Sequence, residues 1–167
     1  MLLPDQQEGM YDRILLPTDG SEEMEHVIEH ALSLAKTHGA TVHGLYVVDT
    51  GRFSALPADN SWEGLTQMLR EEGELALDEL EAYDEREVAV EGRMVEGDPT
   101  NEILEYAVET DCDVIVMGTH GRGGLDRLLL GSVAERVIRR SHVPVVTVPV
   151  GRGKLRDDPE SAVQTAN

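Results

Sequence analysis

Five short apolar runs recur along this chain, and segments with helical spacing fill the gaps between them. The runs are Asp12 to Pro17, Thr41 to Val48, Val88 to Val95, Asp113 to Met117 and Val143 to Val150. Each is short enough for a strand, and Asp113 to Met117 is fully apolar between its flanks, as a strand covered on both faces should be. The first gap, Glu22 to Gly39, carries a stripe of Met24, Val27, Ile28, Ala31, Leu32 and Ala35. Ser61 to about Glu85 reads as a long acidic helix with Leu65, Met68, Leu69, Leu75, Leu77 and Leu80 on its apolar face. A helix opening at Asp98-Pro99 and running to about Thr110 buries Ile103, Leu104, Ala107 and Val108. The last gap ends in a helix from Ser132 to about Ser141, with Val133, Ala134, Val137 and Ile138 inward. Strict strand–helix alternation predicts an α/β fold: one domain with a five-stranded parallel sheet and helices on both faces. In such sheets ligands sit beyond the carboxyl ends of the strands, near the switch point. That rule singles out Asp19, Val47 to Asp49, and the stretch after Met117.

Local punctuation supports these boundaries. Ser21 is a candidate N-cap, and Glu22 and Glu23 suit the positive end of the helix dipole. Gly39 is the natural helix stop, preceded by His38. Asp98 followed by proline is the usual opening of a helix. Residues 1–10 lack any period and are expected to form a loose arm; 11–150 form the domain, and 151–167 a polar tail.

The chain has 167 residues and is 40% hydrophobic, enough for a real core. It has 33 acids against 14 bases, for a formal net charge of -19. Only Lys36 and Lys154 are lysines; the other bases are arginines. A surface this negative repels nucleic acid and anionic membranes. Its self-repulsion fades in molar salt, where the Debye length is about 3 Å, so a halophilic source is expected. No apolar run approaches the roughly 18 residues of a membrane span, and Met1 to Asp5 resembles no secretory leader, which leads to the expectation of a cytoplasmic protein. A single cysteine, Cys112, excludes an intrachain disulfide.

The strongest chemical signal runs from Gly118 to Ser132. It follows a buried strand and precedes a helix. Its glycines let the backbone approach a ligand closely. The N–H groups of Gly131, Ser132 and Val133, expected to be free at the helix start, form an anion site favoured by the dipole, and Ser132 adds a hydroxyl. A phosphate chain is the natural occupant; a tight βα connection without a ligand is the alternative. The stretch is not a P-loop, because no GxxxxGK[ST] occurs. Nor is it the dinucleotide fingerprint, because Asp126 stands where a glycine or alanine should be.

The spacing Gly118-x2-Gly121-x9-Gly131-Ser132 resembles the nucleotide-binding signature of the universal stress protein family. Ile14 to Glu22 is similar to that family's first strand and turn, and Val114 to Gly124 to its fourth strand and phosphate loop. Gly131 to Val148 is similar to its last helix and dimer strand. The resemblance spans roughly 12 to 150. It implies a Rossmann-like fold of the adenine-nucleotide α-hydrolase kind that binds ATP, with ADP and AMP as alternatives. Asp19 would face the ribose, with Pro17 and Thr18 beside it. The backbone of Val47 would read adenine, and Met117 and Gly118 would pack on the adenosine. Gly121, Gly131, Ser132 and Val133 would hold the phosphates, and Mg2+ would be held largely by those phosphates and by no protein side chain.

His120 and Arg122 lie inside the loop and could touch phosphate; His120 could equally pack the loop, and Arg122 and Arg127 could pair with acids. Arg52 or Trp62 could cover a nucleotide, although a solvated loop is the simpler reading. His26 and His30 have metal-binding spacing but lie opposite the apolar stripe with no third ligand. Cys112 reads as inert packing. No nucleophile–base pair has workable spacing, so no enzyme activity beyond slow hydrolysis is expected. Val143 to Val150 would be an apolar sheet edge and thus a liability unless covered. The family pairs this strand with its copy in a second subunit, which predicts a homodimer here, with Pro144 and Pro149 limiting the pairing. The functional expectation is a stress-response ATP-binding dimer acting as a nucleotide-dependent switch on a further protein partner or as a protective factor. The alternatives are a nucleotide-independent structural or chaperone-like dimer and a true nucleotide hydrolase.

Overall fold

A computed structural model describes residues 9–51, 61–83, 88–121 and 130–150. The expected arm and tail fall mostly outside these residues, as do Arg52, Arg122 and Arg127. The strands are β1 (Arg13–Thr18), β2 (Thr41–Asp49), β3 (Val90–Gly97), β4 (Val114–Gly118) and β5 (Val145–Val148). Between them lie α1 (Glu25–His38), preceded by a 3-10 turn over Glu22–Met24, then α2 (Ser61–Glu81), α3 (Pro99–Glu109) and α4 (Ser132–Arg140). The sheet is five-stranded and parallel, in the order β3-β2-β1-β4-β5. This is the α/β architecture the alternation predicts.

Successive residues of β1 point to opposite faces, so the sheet carries two cores. Ile14 and Leu16 join Val27, Ala31, Val42, Leu80, Val114 and Val116 under α1 and α2. Leu15 joins Leu45, Ile103, Ala107, Ile115 and Val137 under α3 and α4. Ile14, Leu15 and Leu16 are all fully buried, each contributing about 1.5–3 kcal/mol of apolar burial. Gly39 closes α1 in the left-handed conformation at φ 68°. Asp98 Oδ1 accepts the Asn101 N–H at 3.0 Å and caps α3, with Pro99 at the first position.

Three apolar faces differ from the expectation. On α2, Met68 and Leu75 are exposed, whereas Gly73, Leu77 and Leu80 are buried. The reason is Gly73: a Cβ there would lie 2.5 Å from the Tyr46 ring, so the missing side chain admits the ring and rotates the helix toward it. Val108 on α3 and Ile138 on α4 are exposed as well; Ala107 and Val137 beside them hold the inward positions. Ser21 stands at the N-cap position of the 3-10 turn, as expected, but its side chain caps no N–H. Its hydroxyl accepts no helix N–H and donates to Asp19 Oδ1 at 2.7 Å.

Candidate functional site

Strand register locates the site. β1 and β4 pair only through Ile14–Val114 and Leu15–Ile115. Beyond those pairs the two strands run on, to Thr18 and Gly118, without pairing. β1 also ends opposite Tyr46, so β2 continues past it from Val47 to Asp49. A crevice therefore opens at the carboxyl ends of the central strands, where the connections diverge to the two faces.

A cavity of about 450 Å³ occupies this crevice, within the usual range for small-molecule sites. Pro17, Thr18 and Asp19 line it from the end of β1, Val47 from β2, and Met117 and Gly118 from β4. His120 and Gly121 follow from the loop, and Gly131, Ser132 and Val133 from the start of α4. The structure thus gathers every candidate site residue except Arg122, which lies outside the described residues. Trp62 sits in the first turn of α2 and does not line the cavity.

Several walls are built from backbone. Gly131 N–H donates to the Thr119 carbonyl at 2.7 Å, clamping the two ends of the glycine-rich segment together. This corrects the expectation of three free N–H groups: Gly131 uses its own structurally, leaving those of Ser132 and Val133 at the helix start. A Cβ at Gly131 would sit 3.1 Å from Thr119 O and 3.3 Å from His120 Cα, so this close approach requires glycine. Gly118 is similarly tight, since a Cβ there would run into the Val150 side chain.

Asp19 is anchored before any ligand arrives. Its Oδ1 accepts the Ser21 N–H at 3.0 Å as well as the Ser21 hydroxyl. Its Oδ2 faces Gly121, where a Cβ would lie 3.5 Å away. His120 Nδ1 meets Thr119 Oγ1 at 2.9 Å, while His120 Nε2 is buried with no hydrogen-bond partner among the described residues. A buried unpaired nitrogen is costly.

The strand-end rule singled out Asp49 without giving it a role, and sequence reasoning left Pro99, Ile103 and Leu69 unassigned to the site. Asp49 lines the cavity, with its Oδ1 accepting the Gly51 N–H at 3.0 Å. Its position at the carboxyl end of a strand was the available signal. Pro99 and Ile103 enter from α3, whose capped N-terminus starts at this same end of the sheet. Leu69 contributes from the apolar face of α2, where the pattern put it without assigning it to the site.

Among the described residues no helix is long and apolar enough to cross a membrane, and no cluster of three or more histidine, cysteine or acidic residues could hold a metal. His26 and His30 are exposed on α1. Cys112 is buried, in contact with Thr110 Oγ1 at 3.1 Å, and burial raises its thiol pKa, so it is not a ready nucleophile.

A parallel sheet in this strand order, opening at its switch point onto a glycine-lined cavity, defines a Rossmann-like α/β protein. The model of the universal stress protein family matches residues 10–149. A universal stress protein of Methanocaldococcus jannaschii is 46% identical over 142 residues, covering 84% of each chain. The solved structure of a hypothetical protein of the same organism superposes with a TM-score of 0.72 at 33% identity, covering 83% of this chain and 96% of that one. A universal stress protein solved in complex with cAMP superposes with a TM-score of 0.60 at 25% identity, covering 83% of this chain and 96% of that one. The chain belongs to the universal stress protein family.

Proposed function

We propose that this protein binds ATP in the crevice between β1 and β4 and acts as a nucleotide-dependent dimeric switch. The observation that carries the reading is the cavity, whose lining combines a glycine clamp, a helix N-terminus and an anchored carboxylate. The clamp and helix N-terminus suit phosphate, and the carboxylate suits ribose hydroxyls. The adenine would lie toward Val47 and Met117, against Leu45 and Ile103. A buried nitrogen beside the clamp, with no partner among the described residues, fits an anionic occupant. The structural relative in complex with cAMP supports an adenine nucleotide as the ligand class. Mg2+ would accompany the phosphates and be held mainly by them.

The dimer would form through β5. This strand is at the sheet edge, its four residues are all half-buried, and exposed Pro144 and Pro149 flank it. An apolar edge of this kind needs a cover, and a second copy of the same strand supplies one. Nucleotide would bias the loops around the cavity, and a partner would read the ordered form.

The test is the nucleotide content of protein purified gently in salt and magnesium, followed by calorimetry with added ATP. Stoichiometric ATP or ADP, or saturable binding by emptied protein, supports the reading. Protein that arrives empty and shows no heat with ATP overturns it in favour of a nucleotide-independent dimer. Sedimentation at several concentrations tests the dimer; a monomer throughout removes that half.

A further inference from the structure

We propose that Thr119 holds His120 in the tautomer that carries its proton on Nε2, so that the ring offers a hydrogen-bond donor to a phosphate oxygen in the cavity. This rests on the nucleotide reading above and names a contact within it.

The argument is a count of protons. Thr119 Oγ1 accepts the Val150 N–H at 3.3 Å and lies 2.9 Å from His120 Nδ1. A hydroxyl has one proton to give and two lone pairs. If it donates to Nδ1, both its roles are used, Nδ1 is the acceptor, and the neutral ring carries its proton on Nε2. Only Nε2–H is then left unpaired. If instead Nδ1 carries the proton and donates to Oγ1, the hydroxyl proton and the bare Nε2 both lack partners. The first arrangement leaves fewer buried groups unsatisfied.

Thr119 is well placed to impose that choice. Its N–H donates to the Val148 carbonyl at 3.0 Å, and its carbonyl accepts the Gly131 N–H at 2.7 Å. The residue is therefore tied to the end of β5, to the start of α4 and to the ring at once. Its hydroxyl cannot turn to another acceptor without giving up Nδ1. The Nε2 it leaves protonated is buried and has no partner among the described residues, on a residue that lines the cavity beside the Gly131 clamp. A donor there matches an anionic oxygen and would be wasted on an aliphatic or cationic group. Thr119 acts here as a positioning residue; His120 would make the contact.

The test has two arms on the full chain. Long-range 15N-1H spectra of the ligand-free protein read the tautomer of His120 directly. The expected result is a proton on Nε2, shifting to Nδ1 or to a mixture in Thr119→Val and returning in Thr119→Ser. A proton on Nδ1 in the unsubstituted protein overturns the proposal. Calorimetry with ATP and with adenosine reads the contact. His120→Ala and Thr119→Val should weaken ATP binding by about tenfold or more and leave adenosine within about twofold, with Thr119→Ser close to the parent. Equal losses for both ligands, or none for ATP, overturn the phosphate contact. If the unsubstituted protein binds neither ligand, the nucleotide reading itself falls, while the spectra still decide the tautomer.

Discussion

The two ends of the sheet are built from the same strands and solve opposite problems. At the amino end, backbone and side chains close on one another. Asp113 Oδ2 accepts the N–H groups of Asp12 and Arg13 at 2.8 and 2.9 Å, and Arg13 donates to the Thr110 carbonyl at 3.0 Å. Asp113 N–H returns a bond to the Arg13 carbonyl at 2.9 Å, and Thr41 N–H bonds the Asp12 carbonyl at 2.9 Å. At the carboxyl end the strands part, glycines replace side chains, and a buried histidine nitrogen has no partner among the described residues. The first end stores stability; the second keeps open the space in which a ligand can sit. Folding and binding should therefore respond to different substitutions.

The sharpest way to break that contrast is at Gly131. Gly131→Leu pushes a side chain into the Thr119 carbonyl and the His120 backbone, neither of which can retreat cheaply. ATP binding, measured by calorimetry, should fall about 100-fold or more, with the fold retained. Asp113→Ala is the converse. It removes the acceptor for two backbone N–H groups at the amino end and should cost about 2 kcal/mol in urea unfolding, with ATP affinity unchanged in the folded protein. If Asp113→Ala damages binding as strongly as Gly131→Leu, the two ends are not separable.

A smaller effect comes from His43, which is buried near the amino end of β2. Its Nδ1 lies 3.3 Å from the Tyr106 hydroxyl and 3.7 Å from Glu91 Oε2. Burial holds its pKa below the usual 6.5; Glu91 opposes that shift and Arg13 adds to it. The unfolded chain thus takes up a proton near 6.5, and the folded protein only at lower pH. Between those values the unfolded state binds more protons, so stability is full above the unfolded pKa and falls as pH drops below it. His43→Gln should flatten this part of the urea-midpoint profile; an unchanged slope would assign it to other groups. The smallest effect belongs to the exposed Arg70–Glu96 pair, bonded at 2.7 Å between β3 and α2. Arg70→Ala should cost less than about 1 kcal/mol at low salt and nearly nothing in molar salt.

The contrast also explains what could be read from sequence. Strand–helix order, the Gly39 stop and the Asp98-Pro99 cap are local signals, and each stands where the pattern puts it. The gathered site was legible because it lies at strand ends, which topology alone brings together. The helix faces were less legible. Burial of Gly73 and exposure of Leu75 on α2 follow from the Tyr46 ring across the interface, which no window of one helix contains. The use of the Gly131 N–H by the Thr119 carbonyl was likewise hidden, because it depends on two segments meeting in space.

The most direct measurement of the central claim is amide chemical-shift mapping during titration with ATP and magnesium. The account predicts large, saturable shifts at Val47, Gly118, Gly121, Ser132 and Val133, and little change at Arg13, His43 and Asp113. Shifts centred on the amino end, or no shifts at all, would contradict it.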